Sequence, residues 1–214
     1  MNINLDNLPL PNFAEIPSGH RRRHRIGGLD LARRDAGRFL QAASALPNTG
    51  PVPGTDAIVT AARSLRLKFA GNRLAPCIRL RRRCLTALRA MARDPEWILA
   101  PAQRACIARL VEYGANGDFL VPGAEPVVGG LDAAVLVDRA WPELREAFAD
   151  YLDFRRLRAE EAMLQGVPPH ALSSFGHAQW QEAREAERAW VAHANRCGLS
   201  RYAAPASGPL FQVH

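Results

Sequence analysis

Tyr113–Asp138, YGANGDFLVPGAEPVVGGLDAAVLVD, is the stretch on which the reading of the fold turns. It leaves one helical pattern, crosses in a Gly/Pro-rich connector and closes in a short apolar helix. Pro122 and Pro126 fix φ and stiffen the crossing. Gly129 and Gly130 permit tight or left-handed turns. Asp132 follows Leu131 at a helix start, where a carboxylate meets free amides and the positive end of the helix dipole. That position suits a helix cap or a contact with a ligand or partner.

Upstream the chain reads as arginine-rich helices. Residues 29–46 carry Leu29, Ala32, Ala36, Phe39, Leu40 and Ala43 on one face. Thr55 is a good N-cap for a helix reaching about Ala70, with Ile58, Val59, Ala62, Leu65 and Phe69 inward. A third helix opens near Ala75, with Pro76 in a tolerated first-turn position, and runs to about Arg93. Its Arg79, Arg82, Arg83 and Arg89 largely face out. Asp94 is read as the cap of a new helix that Pro101 breaks or kinks, before Ala102–Tyr113 continues.

Downstream, Leu131–Ala140 is a short helix, and Pro142 predicts a turn or kink. Glu143–Gln165 is the longest helical pattern, and Gly166 supplies its C-cap. Ser173 or Ser174 caps a last helix whose apolar stripe includes Trp180, Ala183, Trp190, Val191 and Ala194. There is no convincing strand signal and no repeat. The expected fold is all-α: a multi-helix bundle of about six to seven helices around a Pro/Gly-rich connector, with flexible termini. The expected regions are a flexible basic arm (1–28), an arginine-rich helical region (29–112), a helical hairpin (113–166), a C-terminal helix (167–202) and a tail (203–214).

Charge is divided unevenly along the 214 residues. The net charge of +7 comes from +11 in residues 1–112 and −4 in residues 113–214. Lys68 is the only lysine. Arginine suits bidentate phosphate contacts, although genome base composition also produces such a skew. Arg21, Arg22, Arg23 and Arg25 in the arm, with Arg79, Arg82, Arg83 and Arg89, are the candidate anion- or partner-binding residues. The acidic half offers an internal neutralisation of the same charges. Cys77, Cys84, Cys106 and Cys197 form no CxxC and sit in apolar helical patterns. They are expected to be buried, reduced thiols in a cytoplasmic protein.

The residues Asp118, Phe119, Leu120, Val121 and Pro122, then Pro126, Gly129, Leu131, Asp132 and Ala134, resemble the central motif of the YkvA-like family of small helical bacterial domains. That motif is close to D-L-I-P-D-x-x-P-x-x-G-x-L-D-D-A. The likeness spans about Tyr113–Ala159. Gly123 stands where the family has an Asp, Ala133 replaces the second Asp of its pair, and Asp118 lies one residue further from Pro122. The resemblance implies a helical hairpin around a Pro-rich connector and membrane association, with no established reaction. Asp118, Pro122, Pro126, Gly129 and Asp132 are its motif residues here.

Catalytic chemistry finds little footing. His20/His24 and His193/Cys197 are spaced i, i+4, but the first pair sits in a basic tail that repels a cation and the second lacks the third ligand that zinc needs. No nucleophile elbow or phosphate-binding glycine loop is present. No cofactor, metal or catalytic residue is expected. The functional expectation is a non-enzymatic helical adaptor that docks on a protein partner or on an anionic surface at the inner face of the membrane. The alternative is a nucleic-acid binder using the arginine-rich half, which lacks basic–aromatic interleaving.

Overall fold

A computed structural model describes residues 5–13, 25–26, 29–47, 50–69, 71, 73–115, 119–172 and 174–199. The fold is all-α, with six α-helices among those residues. The chain forms two compact units, Met1–Leu152 and Asp153–His214.

In the first unit a minimal antiparallel ladder joins β1 (Arg25–Ile26) to β2 (Leu29–Asp30), with Ile26 opposite Leu29. No strand was expected, because a two-residue ladder is too short to leave an alternating pattern. Its Ile26 is fully buried. The ladder also delays α1, which spans Arg33–Ser44 instead of starting at Leu29. Phe39 and Ala43 of α1 are buried, whereas Leu40 and Ala32 are exposed, contrary to the expected face.

Helix α2 (Thr55–Lys68) buries Ile58, Val59, Ala61, Ala62 and Leu65. Thr55 is its first helical residue, and Gly54 takes the cap position without a side-chain bond. Helix α3 (Pro76–Arg93) starts on its proline, where the missing N–H costs nothing. The expected helix at Asp94 is a turn. Asp94 accepts bonds from the Glu96 amide and the Tyr151 hydroxyl, both at 3.1 Å, and Trp97 packs on Tyr151 with ring centroids 5.5 Å apart. Pro101 therefore begins α4 (Pro101–Ala115) and does not break it.

Helix α5 is continuous over Leu131–Leu164, with Pro142 inside it. Two helices were expected there. An interior proline costs about 3 kcal/mol. Here one buried apolar row, Leu136, Ala140, Leu144, Phe148 and Tyr151, runs straight past Pro142. Burying three such side chains outweighs that cost, at about 1.5–3 kcal/mol each.

The second unit holds the end of α5, a 3-10 turn at Pro169–Ala171 and α6 (His177–Leu199). Phe154, Ala162, Leu172, Phe175 and Trp180 are buried among its described residues. Gly166 closes α5 at φ +68°, as expected of a left-handed cap. Ser174 lies in a turn and Ser173 outside the described residues; the Gly176 amide instead donates to the Gln179 side chain at 3.0 Å. The long apolar stripe predicted for α6 fails beyond Trp180. Trp190 is 70% exposed and Val191 49%, and Ala194 and Cys197 are exposed too. Among the described residues, no helix is long and apolar enough to cross a membrane.

Candidate functional site

The connector folds around Asp132. Residues 113–132 bring Tyr113 from the end of α4 against the first turn of α5. The Tyr113 hydroxyl donates to Asp132 Oδ2, and the Leu120 amide donates to the same oxygen at 2.6 Å. Asp132 has no solvent exposure, and its Oδ1 has no hydrogen-bond partner. Burial pushes its carboxyl above the ordinary value, opposed by the bonds from Tyr113 and backbone amides. Burial, with the nearby Asp132, also raises the Tyr113 hydroxyl. Asp132 does sit in the first turn of α5, but its chief role is to fasten the connector across to α4.

The rest of the connector is equally constrained. A Cβ on Gly129 would lie 2.5 Å from the Gly123 carbonyl oxygen and 2.9 Å from that of Glu125, both backbone atoms. Gly130 is left-handed at φ +71°, and so is Val127 at φ +68°. A β-branched residue there costs about 1–3 kcal/mol. The Val127 carbonyl accepts the Ala75 amide at 2.8 Å, and Glu125 pairs with Arg66 at 2.9 Å. The first link fixes the N-terminus of α3 to the connector, and the second fixes the last turn of α2 to it. Pro122 and Pro126 lie in the same turn-rich segment, partly buried and exposed respectively. Asp118 lies outside the described residues.

Helix α3 carries the charge. Its 18 residues contain six arginines and no acid. At 100° per residue, Arg79, Arg82, Arg83, Thr86, Ala90 and Arg93 form one stripe, and all six are exposed. Arg79, Arg82, Arg83 and Arg93 make no ion pair or side-chain hydrogen bond among the described residues. Among the described residues, the internal neutralisation considered from the sequence is not seen at these four arginines. Arg79 to Arg93 spans about 21 Å along the axis.

Two other arginines of α3 behave differently. Arg89, expected to face out, is half-buried, with one guanidinium nitrogen 3.0 Å from where a Gly114 Cβ would sit. Arg81 went unnoticed in the sequence and is 2% exposed. It forms a two-point pair with Asp138 of α5, at 2.8 and 3.1 Å, and donates to the carbonyls of Cys77 and Leu8. The predicted use of acidic residues to neutralise arginine is therefore realised once on α3, at a position the sequence did not single out. Arg81 lies on the buried side of α3 beside Cys77, Cys84 and Leu88, a placement its helical phase alone would have indicated. A cleft of about 730 Å³ opens beside this pair, between the Leu5–Phe13 segment and α5.

Arg21, Arg22 and Arg23 lie outside the described residues, and Arg25 is described only as a strand residue. Among the described residues, no three His, Cys, Asp or Glu side chains are grouped to hold a metal ion. Neither family models, curated proteins nor solved structures offer a match to this chain.

Proposed function

We propose that this chain is a non-enzymatic docking protein that rests on an anionic membrane surface through the exposed arginines of α3. The observation that carries the reading is the row Arg79, Arg82, Arg83 and Arg93, four exposed cations with no paired acid among the described residues. Aligned like charges three and four apart destabilise a helix. An external anion relieves that repulsion. Each arginine near an anionic bilayer contributes about 1 kcal/mol. On this reading the connector is a rigid mount. Asp132, Gly129 and Val127 hold the start of α3 in place, and residues 113–159 serve as a divergent YkvA-like scaffold.

The test is co-sedimentation with phosphatidylserine-containing and with neutral vesicles, at low and high salt. Binding is expected only to the anionic vesicles. Arg79→Glu/Arg82→Glu/Arg83→Glu should weaken it by at least roughly a hundredfold, from about 1 kcal/mol per lost cation and added repulsion. Equal binding to both vesicles, or an unaffected triple variant, refutes the reading. A short DNA duplex bound with a steep salt slope, without lipid preference, replaces it with nucleic-acid binding.

A further inference from the structure

We infer that the surface meeting the bilayer is amphiphilic, and that Leu67 and Ile98 enter the headgroup–acyl boundary on either side of the α3 arginines. This rests on the membrane reading above and adds the residues that penetrate. Among the described residues of the first unit the exposed large hydrophobics are Leu8, Leu40, Leu67 and Ile98. Two of these stand apart: Leu67 is 88% exposed and Ile98 69%, against about 40% for the others. Single exposed aliphatics are ordinary on a protein surface. Their position in the chain is what distinguishes these two. Leu67 lies in the last turn of α2, immediately before the crossing to α3, and Ile98 lies in the turn that leaves α3.

Each has a packed neighbour that turns it outward. Trp97 is buried on Tyr151, so the next residue in this extended turn points away from the core. Leu65 is buried in α2, and Leu67, 200° further around the helix, leaves the packed face. Cations crowd the Leu67 end. Lys68 follows it, with its ammonium 5.6 Å from the Phe69 ring, and Arg73 is exposed before α3 begins. Basic side chains around an isolated bulky aliphatic, as at Leu67, suit a bilayer interface, where headgroups take the charge and the acyl boundary takes the apolar tip. A nucleic-acid backbone offers no apolar layer to receive Leu67 and Ile98.

The experiment uses the full chain with Cys197→Ser, which removes the one exposed thiol among the described residues. In that background Leu67→Cys and Ile98→Cys are each labelled with an environment-sensitive fluorophore and mixed with phosphatidylserine vesicles. A blue shift at both positions, quenched by lipids spin-labelled high on the acyl chain, is the expected result. Leu67→Ser and Ile98→Ser should each weaken binding about tenfold, and the loss should persist at high salt. Charge-dependent vesicle binding with an unshifted label at either position overturns the inference and leaves the docking reading standing. Failure of the unlabelled chain to bind anionic vesicles overturns both. A label shift produced by duplex DNA but not by vesicles also overturns the inference.

Discussion

Replacing Asp132 tests the connector most directly. Its Oδ2 is the acceptor for two donors, the Tyr113 hydroxyl and the Leu120 amide, at a site without solvent. Asp132→Ala strands the Tyr113 hydroxyl and leaves the Leu120 amide only its long 3.4 Å bond to that hydroxyl oxygen. A buried donor left unsatisfied costs about 1–3 kcal/mol, so the pair costs ~3 kcal/mol or more. For a chain of this size that lowers Tm by ~6–12 °C. Asp132→Asn keeps an oxygen for both donors and removes the ionisable group, so it should cost far less. The pH dependence separates the two effects. Burial raises the Asp132 carboxyl in the folded chain above its ordinary 3.8. The folded state therefore holds the proton more tightly. The stability this contributes is complete below about pH 3.8 and is lost as pH rises through the folded value. Because Asn does not titrate, the advantage of the parent chain over Asp132→Asn should shrink as pH rises from 4 upward. Asp138 is also raised by burial, but it is common to both chains and cancels in the difference. Urea unfolding followed by circular dichroism across pH 4–8 measures this. Asp132→Asn as damaging as Asp132→Ala, or a difference that stays flat with pH, would refute the account of a buried carboxyl that burial pushes above its ordinary value.

Three further outcomes follow from the same contacts. Gly129→Ala should lose ~2 kcal/mol or more in the same denaturation assay, since its Cβ would meet two backbone carbonyls at 2.5 and 2.9 Å and neither can rotate aside. Asp138→Ala should destabilise by about 3 kcal/mol by leaving the Arg81 charge buried alone, and Arg81→Met/Asp138→Leu should recover most of that loss. In a thiol-reagent titration of the folded chain, Cys197 should react quickly and Cys77, Cys84 and Cys106 only on unfolding. Burial closes the last three off and pushes the thiols of Cys84 and Cys106 up to about 12 and about 11.

By itself the sequence settled the helical class, the extents of α2 and α3 to within two residues, and the outward face of Arg79, Arg82 and Arg83. These follow from 3.6-residue periodicity and from the tolerance of a helix start for proline, both local properties of the chain. It also identified the connector, because Pro122, Pro126, Gly129 and Gly130 constrain the backbone wherever they stand. What only the tertiary structure decided depended on which neighbour each side chain meets. Pro142 reads as a turn or kink because its local cost is visible, whereas the apolar row packed on either side of it is not. Trp180 and Trp190 were indistinguishable on one helical stripe, yet one is buried and the other exposed, since α6 outruns the surface it packs on. Asp132 was read as a cap from its place at a helix start. Its bond to Tyr113, 19 residues away, existed only once the connector had closed. Arg81 stood among like residues, and Asp138, 57 positions further on, singled it out for burial.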